Sequence, residues 1–156
     1  MATVTKTVPS NITNTIWPTN GVPEPIKDLL GLLLQLMDDK SDNAGPRLAD
    51  EVFTKDGQLG ASTKAATGSA EIRESRRTAW QKIEYREHKI ARFYAHSDSD
   101  FLFIGNAKMR TLKGYEFNEE FIGRAIVDDP SSPNPRLQQF NVWIDTLAFQ
   151  KAMQNA

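Results

Sequence analysis

The apolar residues near the start of the chain repeat with helical spacing. From Pro25, which suits a first helical turn, apolar side chains recur every three or four residues as far as Met37. The stripe consists of Ile26, Leu29, Leu30, Leu33 and Met37, and Leu32, Leu34 and Leu36 broaden it. A stripe this wide predicts a largely buried helix that ends near Asp39.

Two shorter helices and one short strand are predicted next. Asp42 and Asn43 can cap a helix whose apolar positions are Leu48, Ala49, Val52 and Phe53. The pair Asp56-Gly57 predicts a turn into a strand at Gln58–Ala61. Ser69 can cap a third helix, whose facing positions are Ile72, Arg76, Ala79, Trp80 and Ile83.

After Ile83 the pattern becomes that of strands. Four long runs are rich in aromatic and β-branched residues: Glu84–Tyr94, Asp100–Leu112, Tyr115–Val127 and Arg136–Leu147. The segments between them are short and turn-like, which favours antiparallel neighbours. Helices first and long strands afterwards predict an α+β fold, with three N-terminal helices covering one face of a curved antiparallel sheet. Residues 1–24 show neither period and are predicted to be an N-terminal arm to a domain at 25–156.

Composition removes several classes of function. The 156 residues are 39% hydrophobic and 25% charged, which is typical of a globular domain. A net charge of -1 argues against a dedicated nucleic-acid binder. The longest apolar run, Leu29–Met37, is too short to cross a bilayer, so no membrane partner is expected. The N-terminus lacks the pattern of a signal peptide, and we therefore expect a cytoplasmic location.

Motifs for cofactors and metals are missing from the sequence. The chain has no cysteine and two histidines, which argues against thiolate zinc sites, iron–sulfur clusters and multi-histidine centres. It also contains no phosphate-binding glycine loop and no nucleophile elbow. We therefore expect neither a cofactor nor a metal.

Three short segments carry a resemblance to a known superfamily. They are Phe53-Thr54-Lys55-Asp56-Gly57 after the second helix, Gly68-Ser69-Ala70-Glu71-Ile72-Arg73 at the third, and Trp143-Ile144-Asp145 near the end. In this order, over residues 25–153, the chain resembles the nuclear transport factor 2-like cone. Within that superfamily it is similar to the SnoaL-like group of polyketide cyclases, scytalone dehydratase and ketosteroid isomerase relatives. The resemblance implies a cone-shaped sheet around a cavity, and it leaves function open because the fold hosts many activities.

His88 is the first candidate for chemistry. Alternation places Arg86, His88 and Ile90 on one face of their strand. The resemblance implies a catalytic role, because scytalone dehydratase has a catalytic histidine shortly after its third helix. The second histidine of that enzyme has no counterpart in Asp100–Leu112. A surface or structural histidine is the alternative interpretation.

Asp145 is the second candidate, because SnoaL-like cyclases use an aspartate near the end of the last strand as the base. The alternative is a strand-end aspartate that caps the segment Leu147–Met153. Glu119 shares a strand face with three aromatic residues, although surface ion pairs with Arg110 or Arg124 explain it better. Asp56 fits a turn-forming residue better than a catalyst.

Further side chains are candidates for lining a lipophilic cavity. The predicted substrate-binding set is Tyr85, Phe103, Asn106, Tyr115, Phe117, Glu119, Phe121, Asn141 and Trp143. Of these, Tyr85 and Asn106 are candidates to stabilise an oxyanion. Ordinary core packing and a sheet-to-sheet dimer face are the alternatives for the aromatic residues.

Two functions follow as hypotheses. The first is a cofactor-independent isomerase, cyclase or dehydratase that moves a proton on an apolar ketide- or terpenoid-like molecule, with Asp145 and His88 as base and acid. The second is a non-catalytic dimeric module that binds a small ligand or a protein.

Two structural expectations complete the analysis. The second sheet face, predicted to hold Leu102, Ile104, Ile122, Ile126, Phe140, Val142 and Ile144, is apolar enough to predict a homodimer through the sheet. Trp17 in the arm is expected to pack against the domain or its partner, because an exposed linker rarely needs a tryptophan.

Overall fold

Six strands form one sheet, and four helices precede, interrupt and follow them. The structure is a computed structural model that describes residues 7–61 and 64–154. The helices are α1 (Glu24–Met37), α2 (Ala44–Arg47), α3 (Gly68–Thr78) and α4 (Thr146–Gln154). The strands are β1 (Phe53–Ala61), β2 (Lys64–Thr67), β3 (Ile83–Ala95), β4 (Asp100–Thr111), β5 (Glu116–Asp128) and β6 (Arg136–Ile144). The predicted α+β class, with helices mainly N-terminal to a curved sheet, is confirmed.

The strand order is β2-β1-β6-β5-β4-β3. All neighbours are antiparallel except β1 and β6, which run parallel, so the expectation of a wholly antiparallel sheet is wrong at this pair. Strand β1 is also longer than predicted, and β2 pairs with it as an unpredicted hairpin partner. The parallel pairing arises because the chain places β3, β4 and β5 before β6 returns alongside β1.

The core lies between α1 and the inward face of the sheet. The fully buried side chains of α1 include Ile26, Leu30 and Leu33, which follow the predicted stripe. Inward rings of the sheet pack on one another: Phe103 stacks on Phe140 at 5.8 Å between ring centroids and meets Phe121 edge-on at 6.1 Å. These aromatic contacts fill the inward face of the central strands.

The two faces of the sheet are divided differently from the prediction on β6. Phe140 is fully buried and points to the core, although it was predicted on the outer face. Val142 and Ile144 share that inward face, whereas Trp143 is exposed. The assignment fails because β6 carries apolar residues on both faces, so alternation does not identify the inward one.

Residues 11–17 of the predicted arm lie along the edge of β3. Ile16 forms a parallel bridge with Arg92, in which the Ile16 amide donates to the carbonyl of Ala91 at 3.0 Å. The ring of Trp17 tilts against Phe93 with 5.1 Å between centroids. Packing of Trp17 against the domain is therefore confirmed, and the arm covers hydrogen-bonding groups that an edge strand would expose.

Candidate functional site

A cavity of about 390 Å³ lies between α1 and the inward face of the sheet. It is lined by Leu34, Met37, Leu59, Gly60, Ala61, Arg86, His88, Ala107, Met109, Phe121, Phe140, Val142 and Ile144. Arg86 and His88 supply the only ionisable side chains of this lining. An apolar wall with two convergent polar groups is typical of a small-molecule site.

A larger depression of about 620 Å³ lies beside α2 and α3, and it is less suited to an apolar ligand. Two of its arginines already hold ion pairs, Arg73 with Asp50 at 2.5 Å and Arg77 with Glu74 at 3.3 Å. Its lining is charged and open to water. We therefore take the apolar cavity as the candidate site.

His88 lines this cavity and forms a hydrogen-bonded pair with Asp38. His88 lies on β3, and Asp38 directly follows the last residue of α1. Nδ1 of His88 lies 2.5 Å from Oδ1 of Asp38, and the backbone amide of His88 donates to Oδ2 at 2.8 Å. The two side chains are only 11% and 15% exposed. The pair therefore sits where its electrostatic interaction is little screened by water.

The arm contributes a third donor to the same carboxylate. Nδ2 of Asn11 donates to Oδ2 of Asp38 at 3.1 Å and to the backbone carbonyl of His88 at 2.6 Å. All three groups that face Asp38 are therefore arranged as donors, as an ionised carboxylate requires. This network assigns the proton of a neutral His88 to Nδ1.

The second ring nitrogen of His88 is the one available for chemistry. Among the residues that the structure describes, Nε2 has no hydrogen-bond partner. The ring meets Phe121 edge-on at 5.7 Å, which fixes its plane in the apolar wall. An imidazole oriented by a carboxylate on Nδ1 presents the lone pair of Nε2 as a base, as in the catalytic triads of hydrolases.

Two arginines lie near the pair: Arg76 is buried and Arg86 is half-buried. Arg86 stacks on Trp80 at 5.0 Å and donates from Nη2 to the carbonyl of Ala79 at 3.0 Å. Nη2 of Arg76 donates to the carbonyl of Met37 at 2.6 Å. Burial lowers the pKa of Arg86, and burial together with the charge of Arg86 lowers the pKa of Arg76 to about 10. Arg76 thus remains charged at neutral pH.

The predicted site residues are distributed over both faces of the sheet. His88 and Phe121 line the cavity. Phe103 and Phe117 are buried on the inward face but do not line it, and Glu119 is half-buried there. Four side chains are exposed: Tyr85, Asn106, Tyr115 and Trp143. Asn141 is half-buried, with its Oδ1 buried and without a hydrogen-bond partner in the described part of the chain.

Asp145 lies outside the cavity. Its side chain is exposed, and Oδ1 accepts a hydrogen bond from the backbone amide of Leu147 at 2.8 Å. This is the capping geometry expected at the start of a helix, and α4 begins at Thr146. The structure thus gives the carboxylate the role that the alternative interpretation described, and it brings His88 together with Asp38 instead.

Asp38 and Arg86 are the functional candidates that sequence reasoning missed. Arg86 shares its strand face with His88, so alternation had placed it correctly without assigning it a role. Asp38 is fifty residues from His88 in the sequence, and no local motif connects the two. Its one available signal is an acidic residue at a helix C-terminus, a position that favours cations.

Two further findings concern ligands and membranes. No group of three or more His, Cys, Asp or Glu side chains suited to a metal ion occurs within residues 7–61 and 64–154. Within the same residues, no helix has the length and apolarity needed to cross a bilayer.

Comparison with solved structures identifies the fold. A SnoaL-like polyketide cyclase from Shewanella denitrificans superposes with a TM-score of 0.66 at 12% identity, covering 86% of this chain and 99% of that chain. Another from Jannaschia gives 0.67 at 11% identity, with 84% and 92% covered. A hexachlorocyclohexane dehydrochlorinase gives 0.61 at 13% identity, with 78% and 84% covered. No protein-family model and no curated protein matches the chain.

Proposed function

We propose that this chain, which has the SnoaL-like, nuclear transport factor 2-like fold, is a cofactor-independent enzyme that transfers a proton on a small apolar carbonyl compound. The observation that carries the proposal is the pairing of Asp38 with His88, which lines an apolar cavity. An isomerase, a cyclase and a dehydratase all begin with the same step, removal of a proton next to a carbonyl. A ketide- or terpenoid-like molecule fits this chemistry.

His88 is the base in this proposal. Nε2 takes a proton from the carbon next to the carbonyl, and the electron pair of the broken C–H bond moves onto the carbonyl oxygen. Asp38 stabilises the imidazolium that forms, because its carboxylate already accepts the Nδ1 proton. The imidazolium then gives the proton to another carbon of the enolate, to the oxygen of a second carbonyl that the enolate attacks to close a ring, or to a hydroxyl group that leaves as water.

Arg86 is the group that stabilises the negative oxygen. It lines the cavity on the same strand face as His88, and its stacking on Trp80 holds the guanidinium in place before a substrate binds. A preorganised cation in a site that excludes water stabilises a developing oxyanion strongly. Tyr85 and Asn106, predicted for this role, are exposed on the outer face, so Arg86 replaces them in the proposal.

The names of the structural neighbours are compatible with this proposal. Two are described as polyketide cyclases and one as a hexachlorocyclohexane dehydrochlorinase. Each name implies a small, largely apolar molecule. The cavity volume of about 390 Å³ is at the lower end for ligand sites and suits a compact substrate of one or two rings.

Deuterium exchange tests the proposal without a known substrate. Small cyclic and aromatic ketones are incubated with the protein in D₂O, and incorporation next to the carbonyl is followed by NMR. We expect the wild-type protein to accelerate exchange for the ketones that fit, and His88→Gln to abolish the acceleration. His96→Gln is the matched control, because His96 is the other histidine and is exposed. Equal rates for wild type and His88→Gln would exclude His88 as the base.

A binding function without catalysis is a distinct outcome of the same experiment. Native mass spectrometry of protein purified from its source would show a co-purifying ligand. A ligand that binds in the cavity and is released unchanged, together with no exchange on any ketone, would favour the binding module.

The proposal includes a second copy of the chain as partner. On the outer face the register aligns Ile104 with Ile122 and Ile122 with Trp143, and the last two side chains are 46% and 43% exposed. Leu102 lies on the same face and is also exposed. A contiguous apolar cluster of this kind favours a partner.

Sedimentation velocity at micromolar concentration tests the assembly. We expect the wild-type protein to sediment as a dimer and Ile122→Lys as a monomer with unchanged secondary structure. A wild-type species of 17.5 kDa would refute the dimer. A cytoplasmic location remains part of the proposal, and fractionation of source cells would check it.

A further inference from the structure

The N-terminal arm reaches the catalytic pair as well as the sheet edge. Three consecutive contacts follow β3: Asn11 to the carbonyl of His88 at 2.6 Å, Thr15 Oγ1 to that of Ile90 at 2.7 Å, and the Ile16 amide to that of Ala91 at 3.0 Å. Asn11 differs from the other two because its side-chain amide has a second partner, the carboxylate of Asp38.

We propose that Asn11 is a positioning residue for the Asp38–His88 pair, so that the arm is part of the active site. This inference rests on the proposed function, since it assigns Asn11 a role in the protonation of the proposed base. Asn11 does not line the cavity and does not touch a substrate. It acts by holding the carboxylate that orients the imidazole.

The geometry gives Asn11 a definite orientation. Both of its partners, Oδ2 of Asp38 and the carbonyl of His88, are acceptors, so the NH₂ group and not the amide oxygen must face them. With both N–H groups engaged, the amide joins the end of α1 to β3. Asn11 itself is buried, and its removal would leave both acceptors short of a donor.

The consequence for His88 follows from how an aspartate rotates. Asp38 presents Oδ1 to Nδ1 of His88 only while Oδ2 stays between the His88 amide and Asn11. Without Asn11, one backbone donor is left to hold Oδ2, and water gains access to the carboxylate. The Nδ1 proton then exchanges with water more readily, and the other tautomer of His88 becomes populated. Catalysis falls because that tautomer carries its proton on Nε2.

Three variants separate this role from simple support of the arm. Asn11→Ala removes both hydrogen bonds. Thr15→Val removes a neighbouring contact between the arm and β3 that does not involve Asp38. Asn14→Ala repeats the first change at an exposed position of the arm. Asn11→Ser, which keeps one donor, serves in place of the alanine variant if that variant does not fold.

The measurement is the imidazole spectrum of histidine-labelled protein, with the exposed His96 as internal reference. In the wild type we expect a protonated Nδ1 whose proton exchanges slowly with water. In Asn11→Ala that exchange should be about five- to tenfold faster, the equivalent of one hydrogen bond, with both tautomers visible. Thr15→Val and Asn14→Ala should leave the His88 signals unchanged, although Thr15→Val lowers the unfolding midpoint.

The spectroscopic result decides the inference independently of catalysis. A His88 spectrum and a proton exchange rate in Asn11→Ala equal to those of the wild type would overturn it. So would a change of equal size in Thr15→Val, because the arm would then act on stability alone. If the wild-type protein exchanges no ketone, the function proposed above fails while the altered spectrum of Asn11→Ala still supports the positioning role.

Discussion

The replacement of Asp38 by asparagine should reverse the tautomer of His88. The substitution keeps the shape of the side chain but turns one of its two acceptor oxygens into a donor NH₂ group. Two of the three donors at the carboxylate meet on Oδ2. One is the backbone amide of His88, which can only donate, and the other is the side-chain NH₂ group of Asn11, which also donates to the carbonyl of His88. The oxygen of the new amide must therefore occupy the Oδ2 position. Its NH₂ group then faces Nδ1 of His88.

This arrangement forces the proton of a neutral His88 onto Nε2. Nδ1 must accept a hydrogen bond from the new amide, so it cannot carry the proton. The lone pair of Nε2, which the proposed mechanism uses as the base, then carries a proton. In catalytic triads the same substitution produces the wrong tautomer and lowers kcat about 10⁴-fold. We expect a loss of that order, or about 5 kcal/mol in transition-state stabilisation.

The cost to folding should be much smaller. Hydrogen bonds to a charged group contribute about 1.5–3 kcal/mol and neutral ones about 0.5–1.5 kcal/mol, so three bonds that are each weakened by about 1–1.5 kcal/mol cost about 3–4.5 kcal/mol. Removing a negative charge from the C-terminus of α1 returns about 0.3–1 kcal/mol. The neutral asparagine also avoids the desolvation cost of a buried carboxylate, which offsets part of the remaining loss in stability. A net loss of about 1–2 kcal/mol in unfolding free energy is expected.

Two measurements test the reasoning on the same protein samples. Long-range proton–nitrogen spectra of labelled imidazoles at about pH 8 distinguish a protonated Nδ1 from a protonated Nε2 in a neutral ring. Urea unfolding gives the stability difference. Asp39→Asn is the control, because Asp39 is the adjacent acid and its carboxylate bonds only to Ser41 in a local turn. A His88 that keeps its proton on Nδ1 in Asp38→Asn would refute the argument.

Three further predictions concern stability. Gly105→Ala should cost about 1–3 kcal/mol in urea unfolding, because the new Cβ would lie 2.3 Å from Cζ of Phe121. Trp17→Ala should cost about 2 kcal/mol, since the half-buried ring packs on the core, and a thermal melt would show the loss. The hydrogen bond from Arg124 lowers the pKa of Asp100. A carboxylate with a lowered folded-state pKa stabilises above its ordinary titration range and loses this effect as the pH falls through the folded-state pKa. The wild type should therefore exceed Arg124→Gln in urea midpoint at neutral pH, and the gap should close in acid.

The secondary structure was largely predictable because the spacing of apolar residues within each segment indicates a helix or a strand. The leucine stripe of α1 and the alternating runs of β3, β4 and β5 appear in the structure within a few residues of their predicted bounds. The β2 strand, Lys64–Thr67, was missed because four small or polar residues carry no period. The parallel pairing of β1 with β6 was missed because it joins segments that are distant in the sequence.

The candidate site was predictable only in part. His88 was found through the resemblance to scytalone dehydratase, because neither face of its strand is cleanly apolar, and Phe121 was found through its place on the aromatic face of its strand. Trp143 and Asn141 were placed on the cavity side because they share a strand face with Asp145, the candidate base, whereas the structure turns Val142 and Ile144 inward. Asn106 was predicted to stabilise an oxyanion because its side-chain amide can donate hydrogen bonds. It lies on the opposite face of β4 from Phe103, whose ring is buried in the core, and is therefore exposed. The strand face on which a residue lies therefore predicts its place in the site better than its residue type does.

Asp38 shows how a conflict with a local rule can mark a functional residue. The C-terminus of α1 carries a partial negative charge and has no basic residue in its last turn, yet an acid follows it directly. The structure compensates for this locally unfavourable choice from three distant segments. Asn11 and His88 donate to the carboxylate, and Arg76 donates to the carbonyl of Met37, one of the free carbonyls of the helix end. A helix that needed only to end would be served by a glycine or a lysine. In the proposed function the acid serves to orient His88, and the arm, the helix and the sheet meet at that one carboxylate.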